Sequence, residues 1–120
     1  MEDIRNFVNR ILWGDCIPVM KRMPSASVDL VLTDPPYIVN YTARDGRRVA
    51  NDDNGRWLKP AFAEVYRVLK PDRFCVSFYG WNQAEKFLDG WKAAGYVWSQ
   101  DAGKKETMPP KKLSPPGLER

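Results

Sequence analysis

The sequence predicts an α/β fold with a mostly parallel sheet and a disordered C-terminal tail, on three observations. A nearly continuous apolar run, Val28-Asp29-Leu30-Val31-Leu32-Thr33, stops abruptly at two prolines, Pro35 and Pro36. Short β-rich runs alternate with amphipathic segments of helical length, the order that builds parallel sheets through crossover helices. Composition then changes at residue 101, after which the last twenty residues hold four of the ten prolines and no aromatic residue. The chain therefore divides into a folded part, residues 1–100, and a basic Pro-rich tail, residues 101–120, with too little apolar surface to offset the entropy of ordering.

The elements follow in order. Residues 9–13 read as a short strand closed by Gly14, and Asp15 is placed to cap a helix over residues 16–23, with Pro18 in the tolerated first turn and Ile17, Met20 and Met23 at helical spacing. Residues 28–33 have the pattern of a strand buried on both faces. Residues 38–56 are polar and rich in Gly, Asn, Asp and Arg, so they read as a long loop. Trp57, Leu58, Ala61, Phe62, Val65, Val68 and Leu69 fall on one face of a helix over residues 57–70, which Pro71 ends. Residues 74–79 form a second buried strand ended by Gly80. Asn82 and Glu85 resemble a capping box that opens a helix to Ala94, closed by Gly95, and residues 96–98 are a last short strand.

The bounds exclude several functions. With 120 residues the chain is one domain or part of one, and its 43% apolar content supports a modest core. The formal charge of +4 is mild, so a polyanion partner is allowed but not demanded. Two isolated cysteines, Cys16 and Cys75, and no histidine argue against a metal site or a disulfide scaffold and remove the usual general base. No stretch reaches the roughly 18 apolar residues of a membrane span, and residues 1–4 lack the basic-then-apolar order of a signal peptide, so a cytoplasmic setting is expected.

Asp34-Pro35-Pro36-Tyr37 is the chemically informative segment. At the end of a buried strand it places an acid, backbone carbonyls held by proline geometry, and an aromatic ring on the carboxyl rim of the sheet, where open α/β folds bind ligands. A base amine is a weak nucleophile because its lone pair is delocalised into the ring. A carboxylate and a fixed carbonyl accepting its two hydrogens draw it toward a nucleophilic geometry, and a stacking ring holds the base at roughly 1–3 kcal/mol per base. The bland alternative is a rigid strand-to-loop turn. Asp15 and Cys16, by themselves, read as an N-cap and a small hydrophobe. Tyr79, Trp81 and Trp91 read as core or helix-packing residues, while Arg44, Arg47, Arg48 and Arg56 read equally as phosphate contacts or as solvated cations beside three aspartates.

The chain resembles the DNA amino-methyltransferases that use S-adenosylmethionine, of the Asp-Pro-Pro-Tyr type. The resemblance covers about residues 9–99 and is carried by Trp13-Gly14-Asp15-Cys16, by Ser27 through Tyr37, and by Trp57-Leu58 through Tyr66-Arg67-Val68-Leu69-Lys70-Pro71. It implies a partial Rossmann-like methyltransferase sheet and a catalytic set of Asp34, Pro35, Pro36 and Tyr37, in which Asp34 and the Pro35 carbonyl hold the amine and Tyr37 stacks on the flipped base. It also implies Asp15, Cys16 and Asp34 as cofactor contacts, S-adenosylmethionine as methyl donor, DNA as partner, with Tyr37, Arg44, Arg47 and Arg48 on the nucleic acid, and no metal. Asp at the motif's first position points to adenine rather than cytosine.

The departures concern the second half of that family. Its glycine-rich cofactor loop, Phe-x-Gly-x-Gly, and its target-recognition segment are not found. Phe78-Tyr79-Gly80-Trp81-Asn82 lacks the second glycine, and Pro71-Asp72-Arg73 stands where the family usually has glycines. The expectation is a truncated N-terminal catalytic half of a site-specific DNA adenine methyltransferase of restriction-modification type, active only with a second chain or a homodimer supplying the missing half. The alternatives are an inactive fragment that binds nucleic acid or assembles with an intact relative, and methylation of cytosine or RNA.

Overall fold

The computed structural model describes residues 1–38, 42–48, 50, 54–98 and 110–112. After a 3-10 turn at Ile4–Phe7 come α1 (Cys16–Lys21), β1 (Val28–Thr33), α2 (Leu58–Val68), β2 (Leu69–Ser77), a 3-10 turn at Trp81–Gln83, α3 (Ala84–Ala94), β3 (Tyr96–Trp98) and β4 (Pro110–Lys112). The fold is α/β, with sheet order β1-β2-β4-β3. β1 and β2 are parallel, and β4 runs antiparallel to both β2 and β3, so β1, β2 and β3 point the same way.

Each helix forms largely where its apolar spacing places it. Asp15 caps α1, its carboxylate accepting from the Ile17 N–H at 2.9 Å. Arg67 holds the other end of that helix. Its guanidinium donates to the Met20 carbonyl at 2.7 Å and the Met23 carbonyl at 2.9 Å, and it pairs with Glu64 at 2.7 Å. Carbonyls at a helix end need such donors, so Arg67 is a structural residue rather than a solvated one. α3 ends where expected, on Gly95 in the left-handed region (φ 105°), where an added Cβ would also lie 3.0 Å from the Tyr66 ring.

Several expectations are corrected. Residues 9–13 form no strand: Ile11 and Trp13 are fully exposed, and extended backbone with no neighbouring strand has nothing to satisfy its hydrogen bonds. β2 begins five residues early, directly after α2, because its ladder with β1 jumps from Val28↔Leu69 to Leu30↔Phe74; the slack is taken up by Pro71-Asp72-Arg73, with Asp72 in the left-handed region (φ 61°). The capping box on Asn82 does not form, since Asn82 lies inside the 3-10 turn and Gln83 precedes α3 without a side-chain cap. Within residues 38–56 a tight turn closes through Ala43 N–H to the Arg47 carbonyl at 2.8 Å. Of residues 101–120, expected as a disordered tail, Pro110–Lys112 pair into the sheet as β4; the others lie outside the described residues.

The main correction concerns burial. The helices all pack on the face that carries Val31 and Cys75, where Phe62, Val65, Leu69, Phe87, Trp91 and Tyr96 form the core and Met20 of α1 packs against it. Among the described residues, no helix packs on the opposite face. Leu30 and Leu32 of β1 are 57% and 68% exposed, and Phe74, the ladder partner of Leu30, and Phe78 are 37% and 50% exposed. The apolar run of residues 28–33 is a strand covered on one side, with β1 at the edge of the sheet.

Candidate active site

The parallel ladder of β1 and β2 ends at Thr33↔Ser77 and is extended by the Phe78 N–H donating to the Thr33 carbonyl at 3.1 Å. Asp34-Pro35-Pro36-Tyr37 leaves the sheet from this rim. The Tyr37 hydroxyl donates to Asp34 Oδ1 at 2.6 Å, so the acid and the ring are one unit. That hydrogen bond, followed by partial burial and the carboxylate's charge, raises the Tyr37 phenol above its ordinary value. Since the protonated phenol is the donor, the bond is complete at neutral pH and is lost only as pH rises through the raised value. Ile38, buried and β-branched, follows in the left-handed region (φ 63°), a conformation that costs about 1–3 kcal/mol and occurs mainly where surrounding structure imposes it.

Two clefts open beside the motif. One, of about 390 Å³, is walled by Cys16, Met20, Val31, Asp34, Pro35, Pro36, Trp57 and the core face of α2. The other, of about 540 Å³, lies against Trp13, Gly14, Asp15, Cys16, Pro36 and Trp57. They share Cys16, Pro36, Trp57 and Ala61 as walls, and each is of the size that small ligands fill. Asp15 and Cys16 line the second cleft and Cys16 and Asp34 the first, and Asp15 also serves as the N-cap of α1.

Arg44, Arg47 and Arg48 are exposed on the turn that follows the motif, and Arg47 is paired with Asp45 at 2.6 Å. Neither cleft is lined by an arginine or lysine among the described residues. No group of three metal-ligating side chains occurs among the described residues, and no helix there is long and apolar enough to cross a membrane.

Trp57 is the wall residue that helical spacing hid. It precedes α2 rather than belonging to it, and its indole N–H donates to the Asn54 carbonyl at 2.8 Å, which fixes the ring between the clefts and Phe87. The signal available was a tryptophan at a helix start, one position before the regular stripe.

The two thiols differ in a way that reports on the clefts. Cys75 is fully buried and its thiol is pushed up to about 12 by burial. Cys16 is exposed and raised less, by partial burial and then by Asp15. Because alkylation needs the thiolate, native protein at pH 8 should react slowly at Cys16 and not at Cys75. A second equivalent should appear only in denaturant. Mass-spectrometric mapping of the label checks this, and native labelling of Cys75 would contradict the packing described.

The chain is thus an α/β sheet with an acid-Pro-Pro-aromatic segment and a cleft at its carboxyl rim. The N6/N4 DNA methylase family matches residues 28–111, and the chain belongs to that family. It is 49% identical over 89 residues to YubD of Escherichia coli (strain K12), described as a methylase, covering 74% of this chain and 39% of that protein. It is 36% identical over 88 residues to the DNA adenine methyltransferase YhdJ of the same organism, covering 70% and 29%. With the type II methyltransferase M.HinfI of Haemophilus influenzae it shares 30% identity over 97 residues, covering 81% and 25%. A crystal structure described as a DNA modification methylase of Thermus thermophilus superposes with a TM-score of 0.59 at 18% identity, over 89% of this chain and 55% of that one. The same protein complexed with S-adenosyl-L-methionine gives 0.55. The likeness to these structures is one of fold, and the chain spans well under half of the curated relatives it matches.

Proposed function

We propose that this chain carries the amine-binding and catalytic part of a site-specific DNA adenine methyltransferase. The observation that carries it is the Asp34–Tyr37 unit at the end of β1, open to a ligand-sized cleft. S-adenosylmethionine supplies an electrophilic methyl group when bound, and Asp15, Cys16, Asp34 and Trp57 are the residues that would border it. Asp34 accepts one hydrogen of the adenine amine and the Pro35 carbonyl the other, which localises the nitrogen lone pair for in-line attack. The carboxylate then takes the proton that the methylated amine releases. The Tyr37 ring stacks on the flipped base, and its hydroxyl keeps the carboxylate oriented until the amine arrives. Arg44, Arg47 and Arg48 follow the motif closely enough in sequence to meet the DNA backbone.

The clefts fit the apolar and heterocyclic parts of the donor, but their lining offers two carboxylates and, among the described residues, no cation for the donor's own carboxylate. The bare face of Leu30, Leu32, Phe74 and Phe78 and the free edge of β1 are surfaces that a further polypeptide would cover. We therefore assign methyl transfer to an assembly of this chain with the remaining length that its relatives carry, as a second chain or as a longer product.

The experiment mixes this chain with the part of YubD beyond its matched region and follows labelled methyl groups into DNA. Transfer by the mixture, absent from either part alone, with N6-methyladenine as product, is the expected result. N4-methylcytosine would overturn the assignment of adenine, and methylation confined to RNA would overturn that of DNA. A mixture without transfer would overturn the assembly.

A further inference from the structure

The rim of the sheet holds a second aromatic residue that the methyl-transfer chemistry does not use. Beyond Phe78 the chain leaves β2 through Tyr79 and Gly80 into the 3-10 turn Trp81–Gln83. Gly80 is pressed against the motif. A Cβ there would lie 3.0 Å from Tyr37 Cβ, 3.1 Å from the Tyr37 carbonyl oxygen and 3.2 Å from Asn82 Oδ1. A glycine lets the two strand ends approach this closely, so the turn and Tyr37 are held in fixed relation. On either side of it the aromatic residues part company. Tyr79 turns inward onto Trp91 and Phe87, with ring centroids 5.6 and 6.0 Å away. Trp81 is 84% exposed, against the sequence expectation of a core or helix-packing role.

An indole left in water one residue from the glycine that packs against Tyr37 is unfavourable in the isolated chain, and its flat π-face suits another flat ring. We infer that Trp81 is a second nucleobase contact, stacking on a base of the substrate strand next to the one that Tyr37 receives, with Gly80 as the positioning residue between them. This rests on Tyr37 being a base site. The occupant is nucleic acid rather than protein because Trp81 directly follows Gly80, whose contact with Tyr37 ties it to the proposed base site at the carboxyl rim.

The test uses the full 120-residue chain and fluorescence anisotropy with a labelled single-stranded oligonucleotide, compared with the same strand made abasic at its central positions. Base stacking of the ordinary strength predicts that Trp81→Ala weakens binding to the intact strand about tenfold, while Trp81→Phe stays within about threefold. Neither change should affect the abasic strand, and melting should be unaltered because the side chain is exposed. Equal binding of wild type and Trp81→Ala, with Tyr37→Ala still weakened, would overturn this inference alone and leave Trp81 as a protein-docking residue. If wild type fails to distinguish intact from abasic strands, Tyr37 is not a base site and both assignments fall together.

Discussion

Replacing Asp34 with alanine is expected to reduce methyl transfer by the proposed assembly by about 10²–10⁴-fold, the range typical of removing a positioned proton acceptor. The chain contains no histidine to substitute for it. The loss should fall on kcat more than on DNA affinity, since Tyr37, Arg44, Arg47 and Arg48, the proposed DNA contacts, remain. A second readout does not need turnover. The Tyr37 hydroxyl donates to Asp34, and this bond is the first cause of its raised pKa, so Asp34→Ala should return the phenol toward its ordinary value near 10. Ultraviolet titration of the variant follows that change. Asp34 is exposed at the end of a strand, so the melting temperature should move little. Retention of transfer within threefold of wild type would remove Asp34 from the chemistry.

Phe87→Ala will cost about 3–5 kcal/mol of folding stability, the usual range for emptying a buried aromatic site. Phe87 is fully buried, and its ring lies 6.1 Å from Trp57, 6.0 Å from Tyr79 and 5.9 Å from Trp91. Domains of this size hold roughly 5–15 kcal/mol in total, and the described helices cover this sheet on one face only, so the variant should be largely unfolded at 37 °C. Urea denaturation followed by tryptophan fluorescence measures the loss, and a value below about 1 kcal/mol would mean that the cluster is not the core. Trp57 touches Phe87 and walls both clefts, so milder variants such as Phe87→Leu should also disturb the site before they unfold the chain.

The regular elements with a strong local signal were legible. The stripe from Leu58 to Val68 is a helix because its apolar residues recur at helical spacing, and Gly95 ends α3 because a left-handed residue is needed there. β1 and the motif at its end were legible for the same local reason: an apolar run cannot continue as a strand through Asp34-Pro35-Pro36. Residues 9–13 misled because β-propensity describes a surface suited to pairing, and no partner strand is present among the described residues. Asn82 misled because a capping pattern competes with the approach of Gly80 to Tyr37, which draws the chain into a 3-10 turn first.

By itself the sequence determined the resemblance to the family, because Asp34, Pro35, Pro36 and Tyr37 are contiguous at the end of an apolar run and can be read without the fold; the roles proposed for them rest on that resemblance. Only the tertiary structure decided which surfaces are covered. It turned Arg67 inward onto the Met20 and Met23 carbonyls at the end of α1, placed Trp57 on the walls of two clefts, left Trp81 in water next to the glycine that packs on Tyr37, and exposed Leu30 and Leu32 on a sheet whose described helices all lie on the other side. Burial depends on what residues distant in the chain bring to a surface, and no local pattern in residues 28–33 distinguishes a strand covered twice from one covered once.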